Sequence, residues 1–170
     1  QTCALPICSA VALAASAFGG ITVNGTLDAD YGNPKTSQVV QTWFGNATDG
    51  KTGLCNGSEL DGGWIKVDAA GGFLYLFFAG NLESNFNKLE VFIDCVPNAG
   101  QNVLRNDNPD VDFNGLNKLA GTKFDAGFAP DFFVTTTLGG SPTTQYANIA
   151  QLLTNGGGVG AYIGNGVFEI

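Results

Sequence analysis

The chain has 170 residues, 44% of them apolar and 11% aromatic, enough for one domain with a real core and too few to expect two. A net charge of -8, with only 7 basic residues and those spread singly, argues against nucleic acid and against an anionic membrane surface as partners. Histidine is absent, which excludes a serine–histidine triad, a histidine–metal centre and an imidazole general base.

The opening QTCALPI, 1–7, reads as a sequencing artefact, since the chain contains no Met. CSAVALAASA, 8–17, reads as the remnant of a secretory signal peptide with Ala15-Ser16-Ala17 as the small-x-small cleavage site; a buried N-terminal helix is the alternative. The domain is then 18–170, expected to be truncated at its C-terminus because the chain stops inside an apparent strand, GVFEI. With Cys3 and Cys8 in the leading segments, Cys55 and Cys95 remain as a pair that an oxidising compartment would join; two buried thiols is the alternative.

With Gly at 25 residues and few Lys or Glu, the composition suits short strands and tight turns. ITV at 21–23 leads into an Asn24-Gly25 turn, and the β-branched, aromatic SQVVQTWF at 37–44 predicts a strand. WIKVD, AAGG and FLYLFFAG, 64–80, predict a hairpin whose second arm is apolar on both faces and therefore central. Asn81, Asn85 and Asn87 can fix a loop by bonding backbone or can meet sugar hydroxyls; the loop role is favoured. NKLEVFID at 87–94 alternates, with Leu89, Val91 and Ile93 on one face and Lys88, Glu90, Phe92 and Asp94 on the other. Glu90 and Asp94 then stand about 13 Å apart along the strand, too far for a glycosidase pair, and read as solvated charges of the sheet face.

FAPDFFVTTT at 128–137 continues with Pro130 at a strand start, where its missing donor is harmless. YANIAQLL at 146–153 is the single plausible short helix, and GAYIGNGVFEI at 160–170 predicts a closing hairpin around Gly164-Asn165-Gly166. The spacing of strands predicts an all-β fold, an antiparallel, jelly-roll-like β-sandwich.

Long polar loops at 45–63 and 97–122 are the places to look for binding. The second contains a D-x-D-x-N-G run at Asp110, Asp112, Asn114 and Gly115. An EF-hand would need Glu at its twelfth position, where Gly121 stands, and its ninth position is Lys118, so that reading fails. A looser Ca2+ site could take oxygens from Asp110, Asp112 and Asn114 with Asp107 or Asp125; the other reading is that these are ordinary turn formers.

VNGTLDADYG (23–32), GGFLYLFFAGNLESNFNKLEVFIDC (71–95) and DNPDVDFNGLNKLAGTKFDAGFAPDFF (107–133) together resemble secreted bacterial proteins of unknown function that carry a PEP-type C-terminal sorting signal. The sorting signal lies nowhere in these 170 residues. A more distant resemblance is to DOMON-like domains, including family-nine carbohydrate-binding modules, where an early G-x-L-D segment precedes a hairpin and an L-E-V-F-I-D strand. That resemblance implies a jelly-roll sandwich with sugar or haem binding. Haem ligation would want a His or Met, and the chain has neither. Sugar would want stacking aromatics, for which Trp43 and Trp64 are available; packing in core or rim is the alternative role.

The expectation is a secreted, surface-anchored, non-catalytic protein that binds extracellular polysaccharide. The rivals are a structural envelope or matrix component without a small ligand, and a polysaccharide-acting enzyme built on two carboxylates.

Overall fold

The computed structural model describes residues 20–38 and 58–167. The chain divides into two compact units, Gln1–Glu83 and Ser84–Ile170, each with its own sheet. Both are β: a three-stranded and a four-stranded antiparallel sheet, as the all-β expectation requires. Among the described residues no helix is long and apolar enough to cross a membrane.

In the first unit β1 (Thr36–Ser37), β2 (Glu59–Asp68) and β3 (Phe73–Asn81) pair in that order. The expected hairpin forms, with Trp64 opposite Phe77 and Asp68 opposite Phe73. Its AAGG turn closes through Gly72 N–H to Asp68 O at 2.8 Å and Gly71 N–H to Asp68 Oδ1 at 2.9 Å, with Gly72 at φ 74, a conformation that glycine adopts at no steric cost. β3 was expected in the middle; among the described strands β2 holds that place, between β1 and β3. The Asn24-Gly25 turn is present, with Thr26 N–H donating to Asn24 Oδ1 at 2.8 Å. Of the strand expected at 37–44 only its start is described, as part of β1.

The second unit is a meander of β4 (Asn85–Ile93), β5 (Phe132–Gly139), β6 (Thr144–Gln151) and β7 (Gly160–Val167). β5 alternates strictly in burial, placing Phe133, Thr135, Thr137 and Gly139 on one buried face. Register sets Phe92, Phe133 and Ala150 in one row across β4, β5 and β6 and Glu90, Thr135 and Asn148 in the next. Lys88, Thr137 and Tyr146 form the third row. The face therefore grades from apolar to polar along the strands.

Two sequence expectations give way to the structure. The segment 146–153 is not a helix: its residues 146–151 pair one for one with β5, from Thr137 opposite Tyr146 to Phe132 opposite Gln151. Ala, Gln and Leu favour helix weakly, and a site between two strands that bond both of its backbone edges outweighs that preference. Gly164-Asn165-Gly166 is not a turn either, because β7 runs through it to Val167. The register slips between Ala147 and Asn148, opposite Gly164 and Tyr162, so Ile163 is the extra residue of a β-bulge.

The 38 residues from Asp94 to Asp131 that join β4 to β5 include the long polar loop, 97–122, that was expected as a binding surface. They carry half of the core: Leu104, Val111 and Leu116 cluster with Phe133, Ala150 and Leu152, with Phe92, Leu119 and Phe124 packed against them. α1 (Gly115–Lys118), a single turn, turns Leu116 fully inward. Amides tie the connection to itself and to the segment after β6: Gln101 Nε2 donates to Asn108 Oδ1 and to Leu153 O, both at 2.7 Å, and Asn117 Nδ2 donates to Asn108 O at 2.9 Å. Asp131 Oδ2 accepts the Cys95 and Val96 N–H groups at 2.8 and 2.7 Å, fixing both ends of the connection.

Leu116→Ala should therefore lower unfolding stability by about 3 kcal/mol. Phe113→Ala, three residues earlier but 95% exposed, should change it by less than about 0.5 kcal/mol. Urea denaturation followed by intrinsic fluorescence distinguishes the two.

Candidate functional site

The β2–β3 hairpin presents two different faces. Because paired residues of an antiparallel ladder share a face, Trp64, Lys66 and Asp68 stand with Phe77, Tyr75 and Phe73. The rings form a row: Trp64 and Phe77 meet edge-on at 5.6 Å, and Phe73 and Tyr75 lie 6.0 Å apart. Tyr31, from the 3-10 turn Ala29–Tyr31, adds a ring 5.8 Å from Phe77 and is itself buried. Trp64, Phe73, Tyr75 and Phe77 are each half-buried, and Lys66 is exposed beside them. The opposite face carries Ile65, Val67 and Leu74, all exposed. An aromatic row with a charged rim offers apolar area and directional polar groups at once. Trp43, the other half of the expected stacking pair, lies outside the described residues.

The acidic run 107–118 is held by its own side chains. Asp112 is buried and its Oδ2 meets Lys88 Nζ of β4 in an ion pair. Arg105 grips Asp107 with two bonds, at 2.8 and 2.6 Å, and holds that exposed carboxyl below the usual carboxylate range. Asn114 Oδ1 accepts from Asn117 Nδ2 at 2.7 Å. Asp110 and Asp125 are exposed. Among the described residues no three His, Cys, Asp or Glu side chains are gathered as a metal-holding group. Cys95 is exposed, and Cys55 lies outside the described residues. Asn85, the first residue of β4, bonds backbone within that strand, its Oδ1 accepting Asn87 N–H at 3.2 Å.

One group of residues escaped the sequence reading. Lys88 and Glu90 share a strand face with Phe92, Glu90 half-buried and Lys88 exposed. Asp94, expected beside them, is exposed and its Oδ2 accepts Ala129 N–H at 2.8 Å. Glu90 is half-buried, and its carboxyl is pushed up first by burial, with the Asp112 charge adding and Lys88 opposing. Opposite Glu90 and Lys88 stand Thr135 and Thr137, 0% and 5% exposed, whose hydroxyls have no hydrogen-bond partner among the described residues. The available signal was the period of two: Phe92 is followed backwards by Glu90 and Lys88 at the same parity, so an aromatic core residue carries two charges with it.

Asp112 is delivered by an unusual backbone. Asp112, Phe113 and Asn114 have φ of 54, 54 and 61, three consecutive left-handed residues without a glycine among them. Gly115 follows because a Cβ there would lie 2.5 Å from Asp112 Oδ2.

Compared with protein-family models, curated proteins and solved structures, the chain has no match.

Because desolvation favours its neutral form, the Glu90 carboxyl should titrate above the ordinary glutamate value of about 4.3. The sign follows: a raised carboxyl favours the fold below the unfolded value, and that contribution is lost as pH rises through the folded one. Carbon-13 NMR of the side-chain carboxyl groups across pH 3 to 8 (about the range of carboxylate titration) reads this directly; a Glu90 midpoint at or below those of the other glutamates overturns it.

Proposed function

We propose that this is a secreted, cell-surface-associated, non-catalytic protein whose β2–β3 hairpin binds extracellular polysaccharide. The supporting observation is the row of Trp64, Phe73, Tyr75 and Phe77 on one sheet face, flanked by Lys66 and Asp68. Sugar rings present patches of C–H that stack on aromatic faces, and hydroxyls that need charged or amide partners at the rim. A row of rings of this kind suits an extended chain of sugars more than a single residue. The resemblance to secreted proteins with a sorting signal supports the surface location, and the resemblance to family-nine carbohydrate-binding modules supports the ligand class.

A structural matrix role is favoured by a different observation. β7 is the outer strand of its sheet among the described residues, and its eight residues, GAYIGNGV, include no charge and no proline and are exposed at all but one position. Such an edge is a template for pairing with another strand.

Pull-down on insoluble polysaccharides, with calcium and with chelator, tests the first reading. Trp64→Ala and Tyr75→Ala should each weaken retention roughly ten-fold, equivalent to about 1.4 kcal/mol, while circular dichroism stays unchanged. Loss of retention on chelation would add calcium to the site. No retention by the folded protein, together with concentration-dependent self-association in sedimentation, would transfer the function to the β7 edge.

A further inference from the structure

We propose that Lys88 and Asp112 join in an intramolecular isopeptide bond, with Glu90 as the proton relay. The bond would clasp the edge strand β4 to the connection that supplies half the core of the second unit.

Four observations in that unit meet at this point. Lys88 Nζ and Asp112 Oδ2 are in direct contact, with the Asp112 side chain 5% exposed. Asp112 is buried while the Lys88 side chain keeps 32% of its surface, and transfer of one proton from the ammonium to the carboxylate would give the neutral amine and neutral acid that can condense. Glu90 stands two residues from Lys88 on the same strand face, beside both reacting groups. Glu90 is half-buried, and its carboxylate can take a proton from the nitrogen and pass it on. Asp112 is fixed by the run of three left-handed residues and by the absence of a side chain at Gly115, so its carboxyl is presented in one position. Finally, the Thr135 hydroxyl, fully buried, lies opposite Glu90 without a hydrogen-bond partner among the described residues, a polar group available to the carboxyl or to the departing water.

The step balances without any other reagent. The neutral Lys88 amine attacks Asp112 Cγ, Glu90 takes a proton from the nitrogen, and a carbon–nitrogen bond forms. Glu90 then returns the proton to the hydroxyl on the same carbon, the carbon–oxygen bond breaks and water leaves. An amide replaces an amine and a carboxylic acid, nothing is oxidised or reduced, and Glu90 ends as it began. Burial of the Asp112 side of the amide disfavours the reverse hydrolysis. The amide would also withdraw Asp112 from any set of calcium ligands.

The test is intact mass spectrometry of the full chain, unfolded and reduced before measurement. The expected mass is that of the sequence less one water, and fragmentation should find one branched peptide in which trypsin fails to cut after Lys88. Lys88→Arg keeps the charge but cannot form the amide, and should show the full sequence mass. Asp112→Asn should lose ammonia in place of water if it reacts. Glu90→Gln should fold, by circular dichroism, yet remain uncoupled or couple at least ten-fold more slowly in a refolding time course; a purely structural Glu90 would leave that rate unchanged. A folded wild-type chain at full sequence mass, cleaved normally after Lys88, overturns the proposal, as does a lost water that fragmentation places elsewhere.

Discussion

The second unit depends on one constraint: the apolar end of its sheet has to be covered by the same connection that links β4 to β5. Phe133, Ala150 and Leu152 meet Leu104, Val111 and Leu116, and each of these buried side chains other than Ala150 contributes roughly 1.5–3 kcal/mol relative to exposure. The connection has almost no regular structure, so most of its backbone and amide groups must find partners other than a ladder. Gln101, Asn108 and Asn117 supply them by bonding one another and nearby carbonyls. The polar residues of this stretch are the means by which a long irregular segment can be part of a core.

That constraint also explains where charge accumulates. Since the connection covers the apolar row of the sheet, the turn at 112–114 falls over the neighbouring rows, where β4 brings Lys88 and Glu90. A buried Asp112 needs a counter-charge, and Lys88 provides it. Glu90 is left half-buried beside an existing pair, with its carboxyl pushed up. In the first unit the physics differs: a tight AAGG hairpin sets two strands in register, and ring after ring is aligned by the pleat on one face.

The hairpin at 64–80 was legible because composition, alternation and a glycine turn all agreed. The strands at 87–94 and 128–137 were legible for the same reason, and Pro130 sits just ahead of β5 as a residue without a donor can. The strand at 146–153 was misread because YANIAQLL holds good helix formers, and only its neighbours on both sides make it β6. The Gly-Asn-Gly sequence was misread as a turn because its glycines follow a bulge instead. Of the candidate sites, Trp64 could be named from its type, but its partners Phe73, Tyr75 and Phe77 follow from register. The acidic run could be found, but Lys88, 24 residues earlier, could not be matched to Asp112 without the fold.

The sequence by itself determined the class of fold, the place of the hairpin and most strands, and the exclusion of histidine chemistry, since these follow from composition and from periods of two that act over a few residues. The tertiary structure decided which face of β4 is inside, that the acidic loop is a wall of the core, and that a lysine, an aspartate and a glutamate stand together. Those facts depend on contacts between distant residues, whose energies are set by burial and register and leave no local pattern in the chain.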